Sequence, residues 1–185
     1  PTTTSSRAAE PTSPSRPADA DAAALFDAVT TEHAVIYGYG LVSAHSTPDD
    51  NALVTATMAE HRTRREAAIE MLEGRGVDAP LPAAGYQLPT QVDNPTDAAN
   101  LAVRMEEDAA VAWRAVVEQA TTTEERIFAV TALTQTAVTA ARGGDEHRGH
   151  ECDHRSQRDD LRLGDAEGAG ADGTLERVEG EGGER

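Results

Sequence analysis

The sequence predicts an all-α fold, a bundle of four helices arranged as two antiparallel hairpins with one long crossover between them. Apolar residues recur at helical spacing through the middle of the chain, and Pro, Thr, Asn and Gly mark the ends of each periodic segment. Two of the connections between these segments are a few residues long, whereas the third has about 20 residues. Short connections join antiparallel neighbours, so the helices are expected to pack side by side.

Composition divides the chain into three parts. Residues 1–20 are rich in Pro, Ser and Thr, and residues 143–185 are rich in Gly and acidic side chains. We expect both segments to be disordered, because they contain too few large apolar side chains to offset the entropy lost on ordering. Residues 21–142 carry nearly all the large hydrophobic residues and are expected to form one domain.

Charge and hydropathy indicate which partners and which cellular location to expect. The 185-residue chain has a formal net charge of -17 and a single cysteine, Cys152. Such acidity disfavours binding to nucleic acid phosphates. No apolar run approaches the roughly 18 residues that a membrane-spanning helix needs, so no membrane partner is expected. The N-terminal residues also lack the apolar stretch of a secretory signal, which favours a cytoplasmic location.

The first two helices form the first hairpin. Helix one is predicted over residues 21–46. The segment STPDD follows, in which Thr47 is the expected cap and Pro48 the expected first residue of helix two. Helix two is expected to end near Gly74.

The other two helices form the second hairpin. Helix three is predicted over residues 95–120, with Asn94 as its cap and a proline at its first position. Thr121 and Glu124 fit a capping box at the start of helix four, which is expected to stop at Gly143.

The crossover between the hairpins is the segment GRGVDAPLPAAGYQLPTQVD. Fully extended, it reaches about 65 Å at about 3.3 Å per residue, whereas a helix of about 27 residues is about 40 Å long. The crossover is therefore long enough to span the bundle. Two hairpins joined by one long crossover is the ferritin-like arrangement.

Several segments also resemble one family. LFDAVTTEHAVIYGYGLV, MAEHRTRREAAIEML, the crossover ending GYQLP, and RMEEDAAVAWRAVV are similar to actinobacterial ferritin-like proteins known as domain of unknown function 4439. The resemblance covers residues 20–142 and implies the bundle architecture. It implies no reaction, because the family has no established activity.

Glu32 lies in the otherwise apolar stretch TTEHAVIYGYG of helix one. On a helical wheel it shares a stripe with Leu25, Val29 and Ile36 and therefore faces the core, with His33 at the edge of that stripe.

Helices two and three also carry polar groups on faces that are expected to be buried. His61 lies at the centre of the apolar face of helix two, with Arg64 and Arg65 one turn further on, and Glu106 lies beside Trp113 on helix three. The sequence therefore predicts a buried polar cluster of Glu32, His61, Arg64, Arg65 and Glu106.

Three interpretations of this cluster remain, and a catalytic acid or base is the least favoured of them. One is a degenerate or mononuclear iron or manganese site at Glu32, His61 and Glu106. Ferritin-like di-iron proteins use one Glu from each of two helices and Glu-x-x-His from each of the others. Here Glu60 directly precedes His61, and helix four is predicted to turn Thr131, Thr134 and Val138 inward. The favoured interpretation is a buried ionic network, because an unpaired buried carboxylate costs several kcal/mol.

The segment EHRGHECDHR contains a second group of metal-binding side chain types. These are His147, His150, Cys152 and His154, which are close enough in sequence to chelate a soft divalent metal. Irregular spacing in a segment expected to be disordered favours an incidental cluster.

Two classes of function follow. The favoured class is a non-catalytic bundle that dimerises or binds a protein or a small apolar ligand, and we assign it no catalytic residue. The alternative is an oxidoreductase or metal-storage protein with a reduced site. The Ala-rich core is thin, so we expect a homodimer that buries an apolar outer face bearing Phe128 and Leu133.

Overall fold

Four helices make up most of residues 13–143, the part of the chain that this computed structural model describes. They are α1 (Ala20–His45), α2 (Asn51–Glu73), α3 (Pro95–Gln119) and α4 (residues 123–143). No strand occurs within these residues, so the all-α prediction is confirmed. Most of the two ends expected to be disordered, and the cluster of His147 to His154, lie outside the described residues. No described helix has the length and apolar character to span a bilayer.

Contacts between helices give their directions. Near the start of α1, Asp21 contacts Arg75 just after α2 and Thr121 just after α3. α1 therefore runs antiparallel to both helices. Arg64 of α2 contacts Gln135 of α4, and Arg75 contacts Glu125, so α2 and α4 are also antiparallel. The bundle thus consists of two antiparallel hairpins joined by one crossover.

The crossover, residues 74–94, returns the chain to the other end of the bundle. It packs on α1, where the Pro80 carbonyl lies 3.1 Å from His33 Nε2 and the rings of Tyr37 and Tyr86 are 5.2 Å apart between centroids. Val92 is buried near its end. These contacts hold an extended segment against the helices without secondary structure of its own.

The ends of the helices agree with the predictions to within a few residues, but two predicted caps are wrong. Asn94 caps α3 as expected, since its side chain accepts from Asp97 N. Thr47 does not cap α2. Its hydroxyl donates to Asp50 in a turn, and the helix begins only at Asn51.

At the start of α4 the predicted cap is shifted by one residue. Thr122 accepts from the Glu125 amide at 3.2 Å, whereas Thr121 bonds to Asp21 of α1 instead. The Thr121 hydroxyl, which the local pattern assigns to the capping box, therefore bonds a distant residue, Asp21, instead of capping α4.

α1 lies between α2 and α3, and this explains why it is buried on more than one face. Leu25, Ala28, Val29 and Glu32 have no exposed surface. The largest fully buried side chain, Trp113, comes from α3 and packs edge-on against Phe128 of α4. A helix that is buried on most of its sides has a weakly amphipathic sequence, which is the pattern of α1.

Gly38 of α1 faces the side chain of Met105 on α3. A Cβ at this position would lie 2.1 Å from Met105 Sδ, whereas a Cβ at Gly40 would meet nothing within 4 Å. We expect Gly38→Ala to lower the free energy of unfolding by about 1–3 kcal/mol through overpacking. The matched control Gly40→Ala should raise it by about 0.5–1 kcal/mol, because alanine favours the helix. Urea unfolding of both variants checks this, and the same sign at both positions would contradict it.

Candidate functional site

Glu32 accepts hydrogen bonds from three side chains at the centre of the bundle. Its Oε1 accepts from Trp113 Nε1 at 2.7 Å and Arg64 Nη1 at 3.3 Å, and its Oε2 accepts from His61 Nδ1 at 2.6 Å. Burial alone would raise the pKa of Glu32. The hydrogen bond and charge of His61, with smaller contributions from Arg64 and Trp113, outweigh burial and hold that pKa below its usual range. Glu32 is therefore a buried carboxylate anion.

His61 lies between two carboxylates. Its Nδ1 faces Glu32 and its Nε2 lies 3.0 Å from Glu106 Oε1. Both ring nitrogens can donate only when the imidazole is protonated. Burial lowers the pKa of His61, but the hydrogen bonds to Glu106 and Glu32 raise it, with a net result of about 9. The ring is an imidazolium at neutral pH.

Glu106 completes the row of acidic and basic groups. Tyr39 donates its hydroxyl to Glu106 Oε1 at 2.5 Å, the same oxygen that faces His61. Burial, followed by the charge of Glu106, raises the pKa of Tyr39, so the phenol stays protonated. Among residues 13–143 the other oxygen, Glu106 Oε2, is buried without a hydrogen-bond partner.

Arg64 joins this row to α4. One guanidinium nitrogen bonds Glu32 and the other donates to Gln135 Oε1 at 3.1 Å. Arg64 Nη1 also lies 3.1 Å from His61 Nδ1, so two cations converge on Glu32. Two carboxylates and two cations leave the buried group without net charge, which lowers the free energy that its burial costs.

Arg65, which the sequence assigns to the same cluster, lies outside it. Its side chain is 24% exposed and pairs with the neighbouring Glu66. One residue along a helix turns the side chain by about 100°, so Arg64 and Arg65 cannot both point at Glu32. His33 is also separate, since it bonds the Pro80 carbonyl of the crossover. The structure thus brings together Glu32, His61, Arg64 and Glu106, and adds Tyr39 and Trp113.

The predicted inward face of α4 is wrong. Thr131, Thr134 and Val138 are exposed, and the buried residues are Glu125, Ala129, Ala132 and Thr136. Hydrophobicity misleads here because the buried residues are small or polar while larger aliphatic residues face outward. The buried positions follow one helical stripe, Glu125, Ala129, Ala132 and Thr136, spaced four, three and four residues apart.

The sequence also misses a second polar network near one end of the bundle. Arg75 bonds Asp21 at 2.8 Å and Glu125 Oε2 at 2.6 Å. Burial favours the neutral form of Asp21, but hydrogen bonds from Thr121 and Arg75 lower its pKa to about 2. Burial raises the pKa of Glu125. This network ties α1 and α4 to Arg75, the second residue after α2.

A surface groove of about 390 Å³ lies between α2 and α4. Small side chains line much of it, among them Ala59, Thr63, Ala67, Thr131 and Ala132. Arg64 and Gln135 also line the groove, so the guanidinium lies between the surface and the buried carboxylates.

The chain is similar to a protein family and to a solved structure. A family model described as "Domain of unknown function (DUF4439)" matches residues 24–151. The crystal structure of a conserved hypothetical protein from Mycobacterium tuberculosis is 58% identical in sequence, with a TM-score of 0.68. That comparison covers 70% of this chain and 98% of the mycobacterial chain. None of the curated proteins compared is similar to the chain.

Proposed function

Because the chain belongs to the DUF4439 family, whose description names no activity, we propose a role from the geometry of the buried cluster. The protein is a non-catalytic binding or dimerisation module built on a ferritin-like bundle. Its former metal site is occupied by its own cationic side chains. The cytoplasmic location stays a prediction.

The distribution of the polar residues among the helices supports the ferritin-like relationship. Di-iron proteins of this architecture take one Glu from each of two helices and Glu-x-x-His from each of the other two. Glu32 of α1 and Glu106 of α3 correspond to the single carboxylates. His61 and Arg64 of α2 have the i, i+3 spacing of Glu-x-x-His, as do Ala132 and Gln135 of α4.

These residues do not fit a metal ion. Both nitrogens of His61 face carboxylate oxygens, so an imidazolium has no lone pair to offer. The Glu32 carboxylate already accepts from Trp113, Arg64 and His61. An added divalent cation would also lie beside the positive charge of Arg64. Within residues 13–143 no group of three His, Cys, Asp or Glu side chains has an arrangement suited to a metal.

The observation that carries the proposal is the carboxylate–imidazolium–carboxylate row with Arg64 beside it. In a metal centre the divalent ions neutralise the buried carboxylates and hold the helices together. Here His61 and Arg64 neutralise Glu32 and Glu106 without a metal. The protein then keeps the stability and shape of the bundle but lacks the redox centre of an oxidoreductase, so its function lies on its surface.

Metal content tests this proposal. Protein purified from its native host should contain no stoichiometric iron or manganese, and added Fe²⁺ or Mn²⁺ should leave its melting temperature unchanged. As a positive control, His61→Glu combined with Arg64→His restores a Glu-x-x-His spacing beside Glu32 and Glu106. That variant should be stabilised by added metal, because a ligand that binds only the folded state raises stability. Stoichiometric metal in the parent protein would contradict the proposal.

The alternative function, a metal-binding oxidoreductase or storage protein, has one observation in its favour. Glu106 Oε2 is buried without a partner among the described residues and is the one carboxylate oxygen of the row free to bind a ligand. Metal binding would require His61 to lose a proton and Arg64 to withdraw from Glu32. The metal measurement above distinguishes this function from the favoured one.

A further inference from the structure

α4 and the first part of α2 differ from the rest of the bundle in charge, whereas α2 from Glu60 onward exposes charged side chains. Residues 127–141 of α4, IFAVTALTQTAVTAA, contain no charged side chain, and neither do residues 51–59 of α2, NALVTATMA. α3 is different: its exposed side chains include Arg104, Glu107, Asp108, Arg114 and Glu118. A helix that faces only water normally carries charged residues on its outer side. The uncharged outer side of α4 therefore calls for a partner.

Exposed apolar side chains are concentrated on the same surface. Of the seven large hydrophobic residues exposed within residues 13–143, four belong to these two helices. They are Leu53 (47% exposed), Ile127 (63%), Val130 (45%) and Val138 (42%). The groove of about 390 Å³ between the two helices is lined by Phe128 and by small side chains, together with Glu60, Arg64 and Gln135. One face thus carries both protruding aliphatic groups and a recess able to receive such groups.

We propose that this α2–α4 face is the interface of a homodimer and that the groove of each protomer receives aliphatic side chains of the other. A two-fold symmetric interface places the same patch of both subunits in contact, so the patch must complement itself in shape and charge. Protrusions beside a recess satisfy the first requirement. The inference rests on the proposed function, since it names the partner of a dimerisation module.

Charge identifies the partner as a second copy. The chain carries a formal net charge of -17, so two copies repel each other through most of their surface. The outer side of α4 over residues 127–141 carries no charge, so two copies can approach there without placing like charges together. A basic partner would be drawn to the acidic surfaces instead, because electrostatic attraction steers association.

The chain's own C-terminal residues are a poorer match for the groove. Residues 144–185 contain few large apolar side chains, and glycines and acidic residues separate them. They lack the helical spacing of apolar residues that lets one helix lie in the groove of another. A second α2–α4 face supplies this spacing through Ile127, Val130 and Val138.

Charge substitution on the full-length chain tests the interface. The parent protein should have a dimer mass by light scattering and sedimentation at micromolar concentration. Ile127→Glu combined with Val138→Glu should weaken dimerisation by about 100-fold or more, because symmetry brings four new like charges into one interface. Both positions are exposed, so circular dichroism should report unchanged helical content. Ile127→Glu alone provides a second, milder variant if the double variant loses helix.

Val111→Glu is the matched control. Val111 is 70% exposed but lies on α3 among charged neighbours, so this variant should dimerise like the parent. A parent protein that is monomeric would overturn the inference. A dimer that resists the α4 substitutions, or that Val111→Glu dissociates, would also overturn it while leaving a dimerisation module on another face. Stoichiometric metal in the parent would instead remove the proposed function and leave the interface to be judged by these masses.

Discussion

Glu32→Ala is expected to lower the free energy of unfolding by about 3–5 kcal/mol, because it removes one partner of a buried ion pair. The substitution leaves His61 and Arg64 as two buried cations with only Glu106 to balance them. It also strands the indole N–H of Trp113, which has no exposed surface. A buried donor without an acceptor adds a further cost of about 1–3 kcal/mol, so the total is expected at the upper end of the range.

One further variant gives this prediction its control. Replacing Glu32, His61, Arg64 and Glu106 together with apolar residues of similar volume should be much milder, because a complete buried ionic group can be exchanged for hydrophobic packing at little cost. Chemical denaturation and metal stoichiometry should be measured on the same preparations. A Glu32→Ala variant as stable as its metal-free parent, but lacking metal that the parent binds tightly, would mean that Glu32 is a ligand.

The helices and their topology follow from local signals. Pro95 with its Asn94 cap, and the glycines after α2, are chemical features of a helix end that act regardless of the tertiary context. The start of α2 is mispredicted because Thr47 has another local partner, Asp50, which draws Pro48 into a turn. Where two local solutions compete, the sequence pattern alone does not rank them.

The polar cluster is predictable only in part, for a reason that depends on side chain size. On α1, α2 and α3, large residues such as Leu25, Leu72 and Trp113 define the buried face and so orient Glu32, His61 and Glu106. α4 buries Ala129 and Ala132 while exposing Ile127, so its hydrophobic pattern points the wrong way.

Helical periodicity also does not predict which residues of different helices pair with one another. Arg75 with Asp21 and Tyr39 with Glu106 bring together residues from different helices, and only the packed bundle determines these pairs. Helical periodicity states which face a residue occupies, but it contains no information on the axial level of one helix relative to another.

The stability of the bundle should also fall as the pH rises through the titration of His61. The pKa of His61 is about 9 in the folded protein against an ordinary value of 6.5. A raised pKa means that the protonated ring stabilises the fold fully below pH 6.5, and that this contribution disappears as the pH rises through 9. One pKa unit corresponds to about 1.4 kcal/mol, so a loss of about 3 kcal/mol is expected between these two values.

The neighbouring groups with shifted pKa values do not titrate between pH 6.5 and 9. The pKa of His33 is lowered, chiefly by burial, so its effect on stability belongs to the acidic side. The pKa of Tyr39 is raised, and the pKa of Glu32 is held below its usual range, so neither titrates between pH 6.5 and 9. Urea unfolding at pH 6.5 and at pH 9 should therefore show most of this difference in the parent protein. His61→Gln keeps a polar side chain between the carboxylates but cannot titrate, so its less stable bundle should lack most of this dependence. A parent protein whose stability is constant over that window would mean that His61 is neutral in the folded state, and the charge balance with Glu32 and Glu106 would then be wrong.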